Sequence, residues 1–338
     1  MSKPIANPYV GPRAFEEGEG ARFFGRDREL AKLLNLLIAR RLVLLHAPSG
    51  AGKTSLIQAA LIPRLRDEGF VVRRSIRVHA EVPPEVVTLG PNRYLLSTLT
   101  ALDEEVPPAQ RSAPADLAQI SLTRYLDQRR SDGDVDEVLI FDQFEEVLTA
   151  DTTDRAAKDA FLAELGAALE DPHRWALFAI REDYLGQLRP LLVALPTRLD
   201  TLFRLDLLDP AHARRAVQEP AHTVGGNFRD EAAAKLIDDL RQTSVQRPDG
   251  SSEVVLGQSI EPMQLQVVCY RLWERKTGDR RQEAGRRRRA KVRSQWRIWP
   301  RRATWIRRCG TTTPSRSRRR HTRAAWMSDA SVIGLRRI

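Results

Sequence analysis

The run Ala47-Pro48-Ser49-Gly50-Ala51-Gly52-Lys53-Thr54 stands between two stretches of different character. Before it, Leu42-Val43-Leu44-Leu45 is a short apolar run that reads as a buried strand. After it, Ser55-Leu56-Ile57-Gln58-Ala59-Ala60-Leu61-Ile62 reads as a helix. A loop of small residues joining strand to helix turns successive backbone N–H groups toward one point, and the helix N-terminus adds partial positive charge there. From that position Lys53 reaches the β- and γ-phosphates of a nucleotide, and the Thr54 hydroxyl holds Mg²⁺. This is a P-loop, with Pro48, Ser49, Gly50, Ala51, Gly52, Lys53, Thr54 and Ser55 as its nucleotide-binding residues. Its first position is Ala rather than Gly, which the turn tolerates if φ stays negative. A helix cap that happens to contain Gly and Lys would share these letters, but not the order of strand, loop and helix.

Outward from the P-loop, strands alternate with helices. A helix with apolar positions Leu30, Leu33, Leu34, Leu36 and Leu37 precedes strand 42–46. Residues 70–78 read as a second strand, and a short helix is expected near 92–102 and another near 116–129. Val138-Leu139-Ile140-Phe141 is a third strand, a helix follows near 154–169, and 175–180 is a fourth strand with a fifth near 202–205. This alternation predicts an α/β fold, a parallel sheet covered on both faces. From Pro210 the pattern is mainly helical: 211–219 with Pro220 as its stop, then 230–242, a polar loop over 244–259, and a helix over 262–274 apolar at Met263, Val267, Tyr270 and Leu272.

The third strand ends in Asp142-Gln143-Phe144-Glu145-Glu146. An acid at the carboxyl end of an apolar strand stands beside the P-loop, where Asp142 can hold Mg²⁺ or its waters. Glu145 or Glu146 is then placed to polarise an attacking water, although both would also suit the first turn of the next helix. Arg181 follows the fourth strand; it either senses the γ-phosphate of ATP or is an exposed strand-end arginine. Pro220 either packs on the adenine or simply ends its helix. The histidines show no paired spacing of a metal site. Extra acids beside the Mg²⁺ aspartate favour the hydrolytic and switch class of P-loop proteins over small-molecule kinases.

The chain has 338 residues, enough for two or three domains. Its two cysteines, Cys269 and Cys309, argue against a disulfide scaffold and fit a reducing, cytoplasmic compartment. No signal peptide is expected, and no stretch reaches the ~18 uninterrupted apolar residues of a membrane span. The net charge of +11 is uneven: residues 278–338 carry 20 Lys and Arg against 3 Asp and Glu, while the rest of the chain is net acidic.

Taken together, NPYVGPRAFEEGEGARFFGRDREL at 7–30, APSGAGKTS at 47–55, VLIFDQFEEVL at 138–148, ALFAIREDYL at 176–185, LLDPAHARRAVQEPA at 207–221 and EPMQLQVVCYRLWE at 261–274 resemble the novel STAND NTPases, class one, within the wider STAND and AAA+ group. The resemblance spans about 7–277. It implies a molecular switch in which ADP holds a closed form and ATP with a trigger permits assembly into a homo-oligomer. It also implies that the Gly25-Arg26 region lies near the adenine and that 209–277 forms a helical lid. The expected division is a docking segment 1–24, a P-loop NTPase domain 25–208, the lid 209–277 and a basic tail 278–338. Family members usually continue into a repeat sensor or carry an effector, neither of which is expected here.

Three readings compete for the tail. It binds nucleic acid through phosphate contacts and tryptophan stacking, which would make the protein a nucleic-acid-dependent ATPase; it is a disordered extension; or it is out of frame. The third is favoured. With GC-rich codons, reading from the third base of the Trp296 codon gives A-D-L-A-A-A-G-D-V, an ordinary amphipathic helix that looks like the family's continuation. Nucleic acid is then not an expected partner. A chain ending at Lys276 should keep nucleotide binding, measured by calorimetry, while any DNA affinity of the full chain should fall steeply with salt and ignore sequence. A salt-resistant, sequence-specific complex requiring Trp296 or Trp305 would contradict this.

Overall fold

The computed structural model describes residues 6–130, 135–246 and 252–277, together with the backbone of Ile333–Leu335. Its centre is a parallel sheet of β1 (Leu42–Ala47), β2 (Val71–Val72), β3 (Glu137–Phe141), β4 (Arg174–Arg181) and β5 (Leu202–Arg204), in the order β2-β3-β4-β1-β5. β4 therefore lies between the P-loop strand and the Asp142 strand, although it follows both in sequence.

Alternation along each strand builds two cores. Leu42, Leu44, Leu139, Phe141 and Phe178 pack on one face against the helices Arg93–Asp103, Leu122–Gln128 and Arg155–Leu169. Val43, Leu45, Val138, Ile140 and Leu177 pack on the other, against Asp27–Arg40 and the P-loop helix. The P-loop helix runs from Lys53–Leu56 through a π turn, Ile57–Leu61, into Ile62–Asp67.

At the entry to β3 and β4, Glu137 and Arg174 are register partners. Arg174 is 1% exposed. Its Nε donates to Glu137 Oε1 at 2.9 Å and its other nitrogens reach the Ala168 carbonyl and Asp127. At the opposite end, Phe141 and Phe178 stack 5.0 Å apart and Phe144 closes edge-on over both.

The structure differs from expectation in five places. The strand expected over 70–78 is regular only at Val71–Val72, and it rejoins β3 through an Ile76–Phe141 bridge one residue out of step, as a bulge requires. The helix expected near 116–129 is two pieces, Pro114–Leu117 and Leu122–Gln128, because Ser121 caps the second by accepting from Arg124 N. The helix expected to stop at Pro220 is Pro210–Thr223. The proline falls in its last turn, where it removes one backbone bond without ending the coil. The polar loop over 244–259 contains instead an antiparallel hairpin of Gln242–Gln246 and Ser252–Leu256, rich in β-branched residues. Finally, the helix over 262–277 buries Leu265, Cys269 and Trp273, an i, i+4, i+8 stripe, and leaves Met263 exposed.

Those three buried side chains meet Pro210–Thr223 and Asp230–Leu240 in a third core, to which Tyr9 also belongs. Tyr9 packs edge-on against Phe228 and Trp273, and its hydroxyl donates to the Val217 carbonyl at 2.5 Å. Within 278–338 only Ile333–Leu335 is described; its backbone pairs antiparallel with Gly226–Phe228. The expectations for the rest of the tail lie outside the described residues. Among those residues no helix is long and apolar enough to cross a membrane.

Arg174→Ala leaves the Glu137 carboxylate buried without its main partner and should destabilise the protein by about 3–5 kcal/mol in urea unfolding. The double replacement Glu137→Leu with Arg174→Met should cost less than Arg174→Ala alone, because no fully buried charge is left, Arg73 keeps Glu105 and the Arg129 carbonyl, and Asp127 is exposed.

Candidate nucleotide-binding site

A cleft of about 380 Å³ opens at the carboxyl ends of β1, β3 and β4. The P-loop forms its floor. Ala47 is the buried last residue of β1, and Gly50 and Gly52 turn the chain at φ +76° and +90°, conformations that side chains resist. Arg26 is buried and lines the cleft beside the loop. Its Nη2 donates to the Ala51 carbonyl at 2.9 Å and to the Asp206 carbonyl at 2.8 Å. Ser55 Oγ accepts from Phe15 N, which docks the N-terminal segment on the P-loop helix.

Thr54 Oγ1 donates to Asp142 Oδ2 at 2.8 Å, so the two predicted metal ligands meet. A hydroxyl and a carboxylate side by side form the hard oxygen set that suits Mg²⁺. Burial pushes the Asp142 carboxyl above its usual range, against the opposing pull of Thr54, Gln143 N and Lys53. Burial also lowers Lys53 below the ordinary lysine range, although Glu145 and Asp142 favour its charge.

The two glutamates diverge. Glu145 is buried and lines the cleft, and its Oε2 accepts from Arg181 N at 3.2 Å. Burial raises its carboxyl as well. Glu146 is not among the lining residues: its carboxylate pairs with Arg77 and, at 3.1 Å, with His79. The cause is the turn after β3, where Gln143 takes φ +55° and Phe144 N donates to the Ala179 carbonyl, sending consecutive side chains apart. Arg181 lines the cleft, but its Nη2 is held by Asp183 at 2.5 Å with the guanidinium over Tyr184; its buried Nε has no partner.

Ser49 to Ser55 all line the cleft; Pro48 is not among the lining residues. Gly25 is outside the lining and packs on the helix Pro210–Thr223, where a Cβ would stand 2.5 Å from the His212 carbonyl oxygen. Pro220 is buried within that same helix, away from the cleft walls. Sequence reasoning missed the opposite wall: Arg13, Phe15, Phe23 and Phe24 from the N-terminal segment, and Pro262, Met263, Leu265 and Gln266 from the start of the last helix. Aromatics ahead of the first helix and a proline at a helix start were the available signals, but neither marks a site by itself.

A parallel sheet with the P-loop, a neighbouring strand-end acid and a hydroxyl–carboxylate pair in one cleft defines a P-loop NTPase. A family model described as novel STAND NTPase 1 matches residues 8–293, and the chain belongs to that family. The matched span runs past Gly278, where charge alone sets the start of the tail. Among solved structures, the chain is similar to a Walker-type ATPase of Pyrococcus abyssi at 16% identity, with TM-score 0.50, over 86% of this chain and 80% of that one. It is also similar to the Aeropyrum pernix ORC2 protein in its ADPNP–ADP complexes at 15% identity and TM-score 0.39, over 61% and 53%. For Drosophila ORC bound to DNA the figures are 12%, 0.36, 57% and 31%. A search of curated proteins finds no match.

Burial raises both site carboxyls, so their favourable contribution is present below the ordinary carboxylate range and is lost as pH rises through the raised values. Asp142→Asn and Glu145→Gln should therefore each raise the melting temperature of the nucleotide-free protein at neutral pH. The advantage should shrink on acidification, as followed by circular dichroism.

Proposed function

We propose that this protein is an ATP-binding, slowly hydrolysing signalling switch of the STAND type, in which the bound nucleotide governs how the helices of 209–277 sit on the P-loop. The observation that carries this reading is the 2.8 Å hydrogen bond from Thr54 to Asp142, beside Lys53 and within a cleft that also holds Glu145. Lys53 and the backbone N–H groups at the start of its helix bind the phosphates. Thr54 and Asp142 hold Mg²⁺, which when bound neutralises charge on the β- and γ-phosphates.

Glu145 is the favoured acceptor of a proton from the attacking water, because its carboxylate borders the cleft while that of Glu146 is engaged by Arg77 and His79. Arg181 would stabilise charge on the transferred phosphoryl group; its present hold on Asp183 supports slow turnover. Assembly into a homo-oligomer in the ATP state, and the division into docking segment, NTPase unit and lid, go with this reading. A second reading, a nucleic-acid-dependent ATPase, rests on the basic residues of 278–338.

Lys53→Ala should weaken ATP binding by at least about tenfold, or 1.4 kcal/mol, in calorimetry. Glu145→Gln should retain ATP but lose turnover by about 10²–10⁴-fold, and Glu146→Gln should stay close to wild type in phosphate release. Full turnover in both glutamine variants, or unchanged affinity in Lys53→Ala, would overturn the assignment.

A further inference from the structure

Glu261 comes immediately before the last helix, 262–277, and lies against the middle of the P-loop. A methyl group built on Gly50 would stand 2.7 Å from the Glu261 carboxyl carbon and 2.8 Å from its Cγ. The position is held from three sides. Ile260 and Leu208 exchange backbone hydrogen bonds at 2.7 and 3.0 Å. The preceding Asp206 carbonyl is held by Arg26, whose same nitrogen holds Ala51 of the P-loop. Gln264 Nε2 donates to Glu261 Oε2 at 2.6 Å, which fixes the carboxylate. No catalytic or metal-binding role assigned above uses this acid.

A carboxylate packed against a loop whose backbone gathers phosphates opposes the charge they bring. Gly50 and Pro262 line the cleft; Glu261 itself does not, but its contact with Gly50 brings the carboxylate within Coulomb range of phosphates held by that loop, and its repulsion grows with each negative charge added there. We propose that Glu261 is a specificity-determining residue that discriminates against the triphosphate. It admits a nucleoside diphosphate with the 262–277 helix seated, and a γ-phosphate must displace it. The proposal rests on the nucleotide-switch reading above and adds to it the contact that the γ-phosphate would break. Because the carboxylate is partly exposed, the discrimination should weaken as salt rises.

The test is titration of the full chain and of its Glu261→Gln variant with ADP and with a non-hydrolysable ATP analogue, in Mg²⁺. The variant is isosteric and keeps an acceptor for Gln264. It should bind the analogue about tenfold more tightly than wild type, with ADP affinity changed by less than about twofold. Hydrogen exchange gives an independent readout. Amides of 260–266 should exchange faster in the wild type with the analogue than with ADP, and this difference should vanish in Glu261→Gln. Equal changes for both nucleotides, no change for either, or equal exchange in the two wild-type complexes would overturn the role of Glu261 alone. A wild-type chain that binds neither nucleotide would overturn the P-loop reading and this proposal together.

Discussion

The buried contact between Glu137 and Arg174 fixes how β3 and β4 lie beside each other, and the cleft depends on that register. The two residues are paired at the start of their strands, and Arg73 also reaches the same carboxylate. Strands are rigid over four or five residues, so a register set at one end is delivered at the other. There, Asp142 leaves β3 under Thr54, and Arg181 ends β4 with its N–H on Glu145. A one-residue slip would turn every apolar side chain of β3 to the wrong face. The ion pair is expensive to bury, and its return is a single admissible alignment rather than raw stability.

The P-loop, the strand order and Asp142 were legible because each is written in adjacent letters: an apolar run, a turn of small residues, a charge at a strand end. Which of Glu145 and Glu146 faces the cleft was not legible, because the choice is made by the φ of Gln143 and by a backbone bond from Phe144 to Ala179, a residue thirty-five positions on. Pro220 and Pro262 look equally plain in sequence. Only the packing of the last helix brings Pro262 to the cleft and leaves Pro220 inside its own helix. The hairpin after Leu240 reads as a loop in sequence because the stretch is polar and contains Pro248 and Gly250. Every residue of Ser252–Leu256 is exposed, so that strand shows no alternation of burial.

Arg26 shows how resemblance and structure complement each other. Resemblance put the Gly25-Arg26 region near the base. In the structure Arg26 lines the cleft and also ties Ala51 to the segment that leads from β5 toward the helices after Pro210. The loop that would bear the phosphates and the segment that leads to the helices after Pro210 thus share one guanidinium. Movement of either is felt by the other through bonds rather than through a distant network.

The N-terminal segment has a consequence for modularity. Tyr9 is built into the core of the helices after Pro210, and Phe15 is bonded to Ser55 of the P-loop helix and lines the cleft. A strap of this kind belongs to two structural units at once. Recombination that exchanged the nucleotide-binding unit or the helical unit at its own borders would orphan one end of the strap. Replacing any one of the three parts alone would therefore leave either the third core or the cleft wall without a side chain that fills it.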